Sequence, residues 1–497
     1  MFFTKILLIN PLSVYVKQQA VIPLGLLSIA TCLTSRGHTV KIYDRIVEGG
    51  SVKKHLNAFK PDIVGVSIIG GRCFGDAVRV SRAAKQRKIP VVWGGQMASA
   101  IPEVILESGE ADYVIMGDGE ITMLDLVNAL RDKAPLRGVD GLAFFENSRV
   151  VINRDREFAD MKDLPVIDFR FVDPRKYFIR NRSCQRMLHI YLSKGCTGKC
   201  AYCYSPAFSR CVWRAKPAGH YLSELRNLIE NYGMDGVYFV DDLLSPNKEH
   251  LVSLCRTLNE SGLKFFWSCD MRVDLMTKEE LKMMFDAGCR WIFFGIESGT
   301  AENQRAIRKK LNLEKARETI DYCNEIGLFT TVSFITALPG ETEEDLKNTI
   351  AYMKELNAKV KIPGMFGPFP KTEMTETLIK AGKMDRPRTL AQWGKLATMD
   401  TIGRNFSFVP DRDLKVISAC FLLAIFTNKY ELDDAEKRLW AKRLFGQAAD
   451  IVKRMNLAAF GQLLLSVKEF AGIVFYAAAF PGIRKKYGLN GLGGKKL

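Results

Sequence analysis

The first 120 residues alternate short apolar runs with longer mixed stretches. The runs are KILLIN (5–10), TVKIYD (39–44), DIVGVS (62–67), IPVVWGG (89–95) and DYVIMGDGE (112–120). Each is β-branched and largely continuous in its apolar character, the pattern of a strand buried on both faces. Five such strands with four helix-like stretches between them predict a parallel, doubly wound α/β sheet. In such sheets ligands bind beyond the carboxyl ends of the strands. The exits here are polar and glycine-rich: NPLSV, SIIGGRCFG, WGGQMAS and MGDGE. Gly70, Gly94, Gly95, Gly117 and Gly119 are therefore candidates for close backbone approach to a large flat ligand. The G-x-G-x-x-G of a dinucleotide site is absent at the first turn.

A hairpin-like segment, GLAFFENSRVVINR (141–154), and a polar, Pro-containing stretch to about Arg186 come next, and the linker is expected there. A second alternating series follows: MLHIYLS (187–193), GVYFVDD (236–242), KFFWSCDMR (264–272), RWIFFGIESG (290–299), FTTVSFITALPGE (329–341) and AKVKIPGMFGPFP (358–370). Helical stretches such as SELRNLIENYG and TKEELKMMFDAG lie between them, with a capping-type Ser or Thr in front and Gly behind. Six strand–helix units predict a partial (β/α)6 barrel, whose active site forms where the strands end. Beyond residue 370 the pattern turns helical and less regular, through LKVISACFLLAIF and AEKRLWAKRLF.

At 497 residues with 47% hydrophobic content, the chain is too long for one ordinary core. The net charge of +17 is spread without one dominant basic block and selects no partner, and no appended RNA-binding barrel is seen, so no nucleic acid is expected. The N-terminus lacks the features of a secretory signal, so a reducing cytoplasm is the expected compartment. No apolar segment reaches the roughly 18 residues of a spanning helix. FAGIVFYAAAF (470–480), followed by a basic tail, suits either a packed core helix or peripheral contact with an anionic membrane, and its shortness favours the first.

Most of the twelve cysteines are scattered singly in apolar segments, as buried thiols are. Three are not: Cys196, Cys200 and Cys203 fall within eight residues, in CTGKCAYC, just after a strand. Thiolates so closely spaced on a glycine-containing loop can converge on zinc or on an iron–sulfur cluster. Structural zinc wants four ligands, and Cys184 or Cys211 is near enough in sequence to be a fourth. A cubane held by three leaves one iron open, and the position of the run at the first strand of a barrel-like series favours that arrangement.

CTGKCAYC, with Tyr202 as its aromatic, resembles the C-x3-C-x-aromatic-C signature of the radical S-adenosylmethionine enzymes. VYFVDDLLSPN, MRVDLMTKEELKMMFDAGCRWIFFGIESG and VSFITALPGETEEDLKNTI resemble the later strand segments of the same family, so the likeness runs over about 186–370. It implies a [4Fe-4S] cluster on Cys196, Cys200 and Cys203 whose open iron binds S-adenosylmethionine and cleaves it to a 5′-deoxyadenosyl radical. It also implies an external electron donor of flavodoxin or ferredoxin type, and contacts from Tyr202, Asp241, Arg272, Glu297 and Ser298 to the cofactor. Two positions depart from the family pattern, Ala337 and Lys371, where glycine is common.

The first 150 residues resemble the cobalamin-binding domain that precedes the barrel in one large subclass, through IPLGLLSIATCLTSRGHTVKIYD, DIVGVSI, VVWGGQMASAIPEVIL and YVIMGDGE. The Asp-x-His-x-x-Gly motif that supplies a lower histidine ligand elsewhere is absent, and His38 precedes a strand. The implied organisation is a flavodoxin-like, Rossmann-type cobalamin domain (1–150), a linker (151–185), a radical barrel (186–370) and a mostly helical C-terminal region related to substrate (371–497). The implied reaction is cobalamin-dependent methyl transfer to an unactivated carbon of a small-molecule or lipid-like substrate. The alternatives are a radical cyclase or oxidoreductase and, from another class, a non-catalytic cluster or zinc protein. The lack of a second cysteine triad disfavours a methylthiotransferase.

Overall fold

Lys5–Asn10 (β1), Thr39–Asp44 (β2), Ile63–Ser67 (β3), Val91–Gly94 (β4) and Tyr113–Ile115 (β5) pair in parallel in the order β2-β1-β3-β4-β5. The computed structural model describes residues 4–12, 20–396, 405–426, 476 and 478–489. The runs AEKRLWAKRLF and most of FAGIVFYAAAF and its basic tail, and the end of NPLSV, lie outside the described residues.

Ile6, Leu7, Ile9, Val64, Val91 and Trp93 are fully buried, as strands covered on both faces require. Helices Leu24–Ser35, Val52–Phe59, Phe74–Lys85, Pro102–Glu107 and Gly119–Asp132 supply the cover. The strand order reverses between β1 and β3, which makes the exits beside them the topological switch point. The hairpin expected at 141–154 forms as Leu142–Glu146 (β6) and Arg149–Ile152 (β7), and it continues this sheet as two antiparallel strands on β5. It is therefore part of the first sheet and not of the linker.

The described chain divides into two units. One comprises residues 1–178, 188–234 and 368–398, the other 179–187, 235–367 and 399–497. After the hairpin come Met187–Ile190 (β8) and, in the first unit, the antiparallel pair Ser193–Lys194 (β9) and Arg214–Ala215 (β10), which brackets the cysteine loop. The helix Ala218–Tyr232 begins at Pro217, earlier than the capping role expected of Ser223. Proline presets the helical φ and needs no donor there, so Ser223 falls inside the helix. Gly233 closes it at φ 72, as expected.

The second series forms Gly236–Phe239 (β11), Phe266–Met271 (β12), Cys289–Glu297 (β13), Phe329–Thr336 (β14) and Val360–Met365 (β15). They are parallel and lie in sequence order in a six-stranded sheet that ends on β8. Helices alternate with the strands, and those at Lys278–Asp286 and Glu343–Glu355 start with complete capping boxes at Thr277 and Thr342. The architecture is a partial barrel. Cys255, Cys269, Cys289 and Cys323 are all fully buried, and burial pushes the Cys255 and Cys323 thiols up to about 12. These scattered cysteines serve as small apolar residues.

The C-terminal residues are helical where described, at Asp411–Phe426 and Pro481–Lys486. The segment before the first of these helices lies along the exit of β14: Gly340 N donates to Phe406 O at 3.1 Å and Phe408 N to Glu341 O at 2.9 Å. Among the described residues no helix is long and apolar enough to cross a membrane.

Candidate active site

The cysteine loop begins where β9 ends. Gly195 has φ +85, and a Cβ there would stand 2.1 Å from Val212 O, so only glycine permits this passage. The next glycine holds the sulfurs. A Cβ on Gly198 would lie 3.3 Å from Cys196 Sγ and 4.0 Å from Cys200 Sγ, and Gly198 N itself donates to Cys196 Sγ at 3.3 Å. Cys203 N closes a turn onto Cys200 O at 3.2 Å, and Ser205 N donates to Cys203 Sγ at 3.4 Å. Backbone N–H groups aimed at sulfur favour thiolates, and Gly198 leaves room beside the Cys196 and Cys200 sulfurs. Tyr202 lies half-buried in that turn.

Apart from Cys211, the cysteines outside the motif differ in burial. The Cys196, Cys200, Cys203 and Cys211 side chains are half-buried, whereas the other eight are buried. Cys184 donates to Asn181 Oδ1 at 3.1 Å, and burial, with Asp235 beside it, pushes its thiol up to about 12. That is a poor ligand. Cys211, at φ 59, turns its sulfur to Gly198 O at 3.7 Å. A three-thiolate site suits the donor set better than four-coordinate zinc.

The glycines of the first sheet's rim fall into two kinds. A Cβ on Gly95 (φ +107) would meet Ile68 O at 2.8 Å, and one on Gly119 would meet Ile29 Cδ1 at 2.8 Å, so packing within the fold accounts for both. Gly94 makes only ordinary contacts. Nothing lies within 4 Å of a Cβ built on Gly70 or Gly117, which leaves open space over the exits of β3 and β5. A flat macrocycle pressed against backbone needs such openings. His38 is buried at the amino end of β2, opposite the exits, and cannot serve such a ligand from below.

A cavity of about 110 Å³ lies at this rim, lined by Gly117, Asp118, Glu120, Phe158, Tyr204 and Arg210 among others. Lys194 Nζ donates to Glu120 Oε1 at 2.7 Å, Ser28 Oγ donates to the same oxygen at 2.6 Å, and Arg214 Nη1 stands 2.9 Å from Asp118 Oδ2. Sequence reading missed these four charged residues, since nothing local marks them as partners.

In the second unit Arg272 and Glu297 are brought together through Lys309. The Arg272 guanidinium donates to Asp274 at 2.9 Å and to Lys309 O at 3.1 Å, while Lys309 Nζ donates to Glu297 Oε1 at 2.8 Å. Glu297 sits at φ 72, beside a register shift in β13, and also accepts from Ser333 Oγ at 3.3 Å. A Cβ on Gly295 would crowd both the Glu297 carboxylate and Lys309 Nζ, so a side chain there would displace the pair. A strained non-glycine at a strand exit is a mark of functional sites. Asp241 is buried just beyond β11, and Ser298 is fully buried with its hydroxyl 3.2 Å from Thr349 Oγ1. This rim offers carboxylate, guanidinium and hydroxyl groups, the set that amino-acid and ribose moieties require. One further pair went unread: Tyr238 Oη donates to Asp270 Oδ1 at 2.6 Å on adjacent strands.

Residues 190–353 match the Radical SAM superfamily and residues 15–127 match the B12 binding domain. The chain thus carries a radical S-adenosylmethionine domain preceded by a B12 binding domain, and with these domains come a [4Fe-4S] cluster, S-adenosylmethionine and cobalamin. An uncharacterized methyltransferase of Pyrococcus horikoshii is 27% identical over 419 residues, spanning 83% of this chain and 89% of its own. Among solved structures, the radical S-adenosylmethionine methyltransferase TsrM from Kitasatospora setae, with cobalamin and a [4Fe-4S] cluster bound, superposes with a TM-score of 0.66 at 19% identity. That match covers 82% of this chain and 88% of the other. The cobalamin-dependent S-adenosylmethionine radical enzyme OxsB superposes with a TM-score of 0.70 at 16% identity, covering 98% and 80%.

Proposed function

We propose that this protein is a cobalamin-dependent radical methyltransferase that methylates an unactivated carbon of a small molecule. The observation that supports it best lies within the first unit, where a three-thiol loop opened by Gly198 is built into the same packed body as a rim left open over Gly70 and Gly117. The names of the similar methyltransferases point the same way. When bound, the cofactors supply hydrogen abstraction and a methyl group.

The chain's own part is to hold and orient. Cys196, Cys200 and Cys203 would hold the cluster, with Gly198 N and Ser205 N steadying two of the sulfurs. Arg272 and Glu297 would hold the amino-acid and ribose ends of S-adenosylmethionine, with Asp241 and Ser298 completing that pocket in the second unit; Tyr202 is the cofactor contact expected of the cysteine loop. Gly70 and Gly117 would admit the corrin. Single electrons would come from a ferredoxin- or flavodoxin-type donor in the reducing cytoplasm, a compartment in keeping with twelve thiols outside any disulfide. Substrate choice in residues 371–497 is part of the same reading. Contact of the basic tail with a membrane surface is tested by liposome flotation before and after deletion of 457–497.

The test is anaerobic reconstitution with iron, sulfide and hydroxocobalamin, followed by metal counting, beside a Cys196→Ala/Cys200→Ala/Cys203→Ala variant. The reading expects about four irons, as one cubane requires, and one cobalt, with iron lost in the variant. Iron without cobalt leaves a radical enzyme whose first domain serves another purpose. Zinc without iron overturns the reading.

A further inference from the structure

β9 and β10 place Lys194 and Arg214 directly opposite each other. Two like charges in register on an isolated two-stranded ladder repel. Here both cations are met by carboxylates of the MGDGE segment beyond β5: Lys194 pairs with Glu120 at 2.7 Å and reaches Asp118 at 3.7 Å, and Arg214 pairs with Asp118 at 2.9 Å. The four side chains are 4–20% exposed, so the pairs are little screened by solvent. Ser28 fixes the Glu120 oxygen from the first helix, and the Tyr191 ring lies under Lys194 at 5.6 Å.

Both ends of this clamp reach a cofactor position. On one side Lys194 is followed by Gly195 and Cys196, and Gly195 allows no slack, because its missing side chain is what lets Val212 O approach. On the other side Asp118 and Glu120 follow directly on Gly117, the glycine under open space, and both line the cavity that Tyr204 shares from beyond the cysteines. The MGDGE turn therefore cannot shift without moving the cations that position the cluster loop.

We propose that the Lys194–Glu120 and Arg214–Asp118 pairs are positioning residues that couple the cluster loop to the cobalamin face, so that filling either site tightens the other. The inference rests on the cofactor assignment made above. Linkage makes the effect reciprocal, and coupling of this kind is worth roughly 5- to 150-fold in affinity.

The experiment is an anaerobic absorbance titration of the full-length chain with hydroxocobalamin, with and without the cluster, the latter supplied by the triple cysteine-to-alanine variant. The same pair of titrations is run in a Lys194→Met/Glu120→Leu background, where an apolar pair of similar volume keeps the fold, and in Glu120→Gln. Wild type is expected to bind at least about fivefold more tightly with its cluster. That ratio is expected to fall toward one in both backgrounds, with only the Arg214–Asp118 pair left to carry it, at unchanged iron content, a pattern that a merely structural role does not produce. A ratio of one in wild type, or an undiminished ratio in the two backgrounds, overturns the coupling and leaves the methyltransferase reading intact. Failure of wild type to bind hydroxocobalamin removes the cofactor assignment, and the coupling with it.

Discussion

The Tyr238 hydroxyl donates to Asp270 Oδ1 at 2.6 Å, from β11 to its neighbour β12. Trp267, Cys269 and Met271 are buried, whereas Asp270 is only half-buried on the other face of β12. It shares that face with Tyr238 and Trp291, whose rings meet edge to face at 6.2 Å. Burial pushes the Asp270 carboxyl up to about 7, Asp242 adds to the shift, and the Tyr238 bond works against it.

The sign of the pH dependence follows. An unfolded aspartate loses its proton near pH 3.9, while the folded Asp270 keeps it to about 7. Between those values the folded state binds more protons, so stability falls as pH rises through the window. Asp270→Asn has no proton to lose, and its melting temperature should gain on that of wild type between pH 5 and 8. Tyr238→Phe should move the wild-type decline to higher pH. Melting curves taken across that range decide, and parallel profiles for wild type and Asp270→Asn would remove Asp270 as the titrating group.

Glu341, fully buried in the LPGE turn, extends the same argument to higher pH. Burial pushes its carboxyl up to about 8, although Ala337 N donates to it at 2.7 Å. Glutamine can accept the same bond. Glu341→Gln should cost about 1 kcal/mol or less near pH 6 and become the more stable protein above pH 8. Denaturant midpoints at the two pH values test it, and a variant that loses equally at both contradicts it.

Ala337 and Lys371, the two departures from the glycine pattern, both occupy left-handed backbone, at φ 58 and φ 62. Ala337→Gly should relieve that strain at a smaller entropic cost and stabilise by about 0.5–1 kcal/mol. Lys371→Gly should gain less, because it gives up the bond from Lys371 Nζ to Ser99 O at 3.2 Å. Thermal melting of the two single variants checks the ranking.

Gly195→Ala faces both a forbidden φ and a backbone oxygen at 2.1 Å. It should destabilise by more than about 3 kcal/mol and lower bound iron in proportion to misplacement of the loop. Gly198→Ala, at 3.3 Å from sulfur, should keep the fold and lose iron. Iron per folded chain, determined beside circular dichroism, separates the two effects.

Strands with continuous apolar runs announce themselves, and β1 and β2 run over the residues their runs mark. The cysteine loop was legible for a similar reason, since its chemistry is confined to eight consecutive residues. What escaped was made by distance. Lys194 and Glu120 are separated by 74 positions and Tyr238 and Asp270 by 32, and no local pattern records such pairings. The glycines were only half legible: composition marks Gly95 and Gly119 as readily as Gly70 and Gly117, and only the neighbouring atoms tell internal packing from open space.

The first unit takes its last piece from residues 368–398, and Trp393 and Gly394 close over the loop at Gly71, where a Cβ would stand 2.8 Å from the Gly394 backbone. A chain growing on the ribosome completes its amino-terminal strands early but cannot seal that loop until nearly four-fifths of the polypeptide has been made. A fragment cut after the first sheet, or a barrel expressed without it, would each lack part of one shared body.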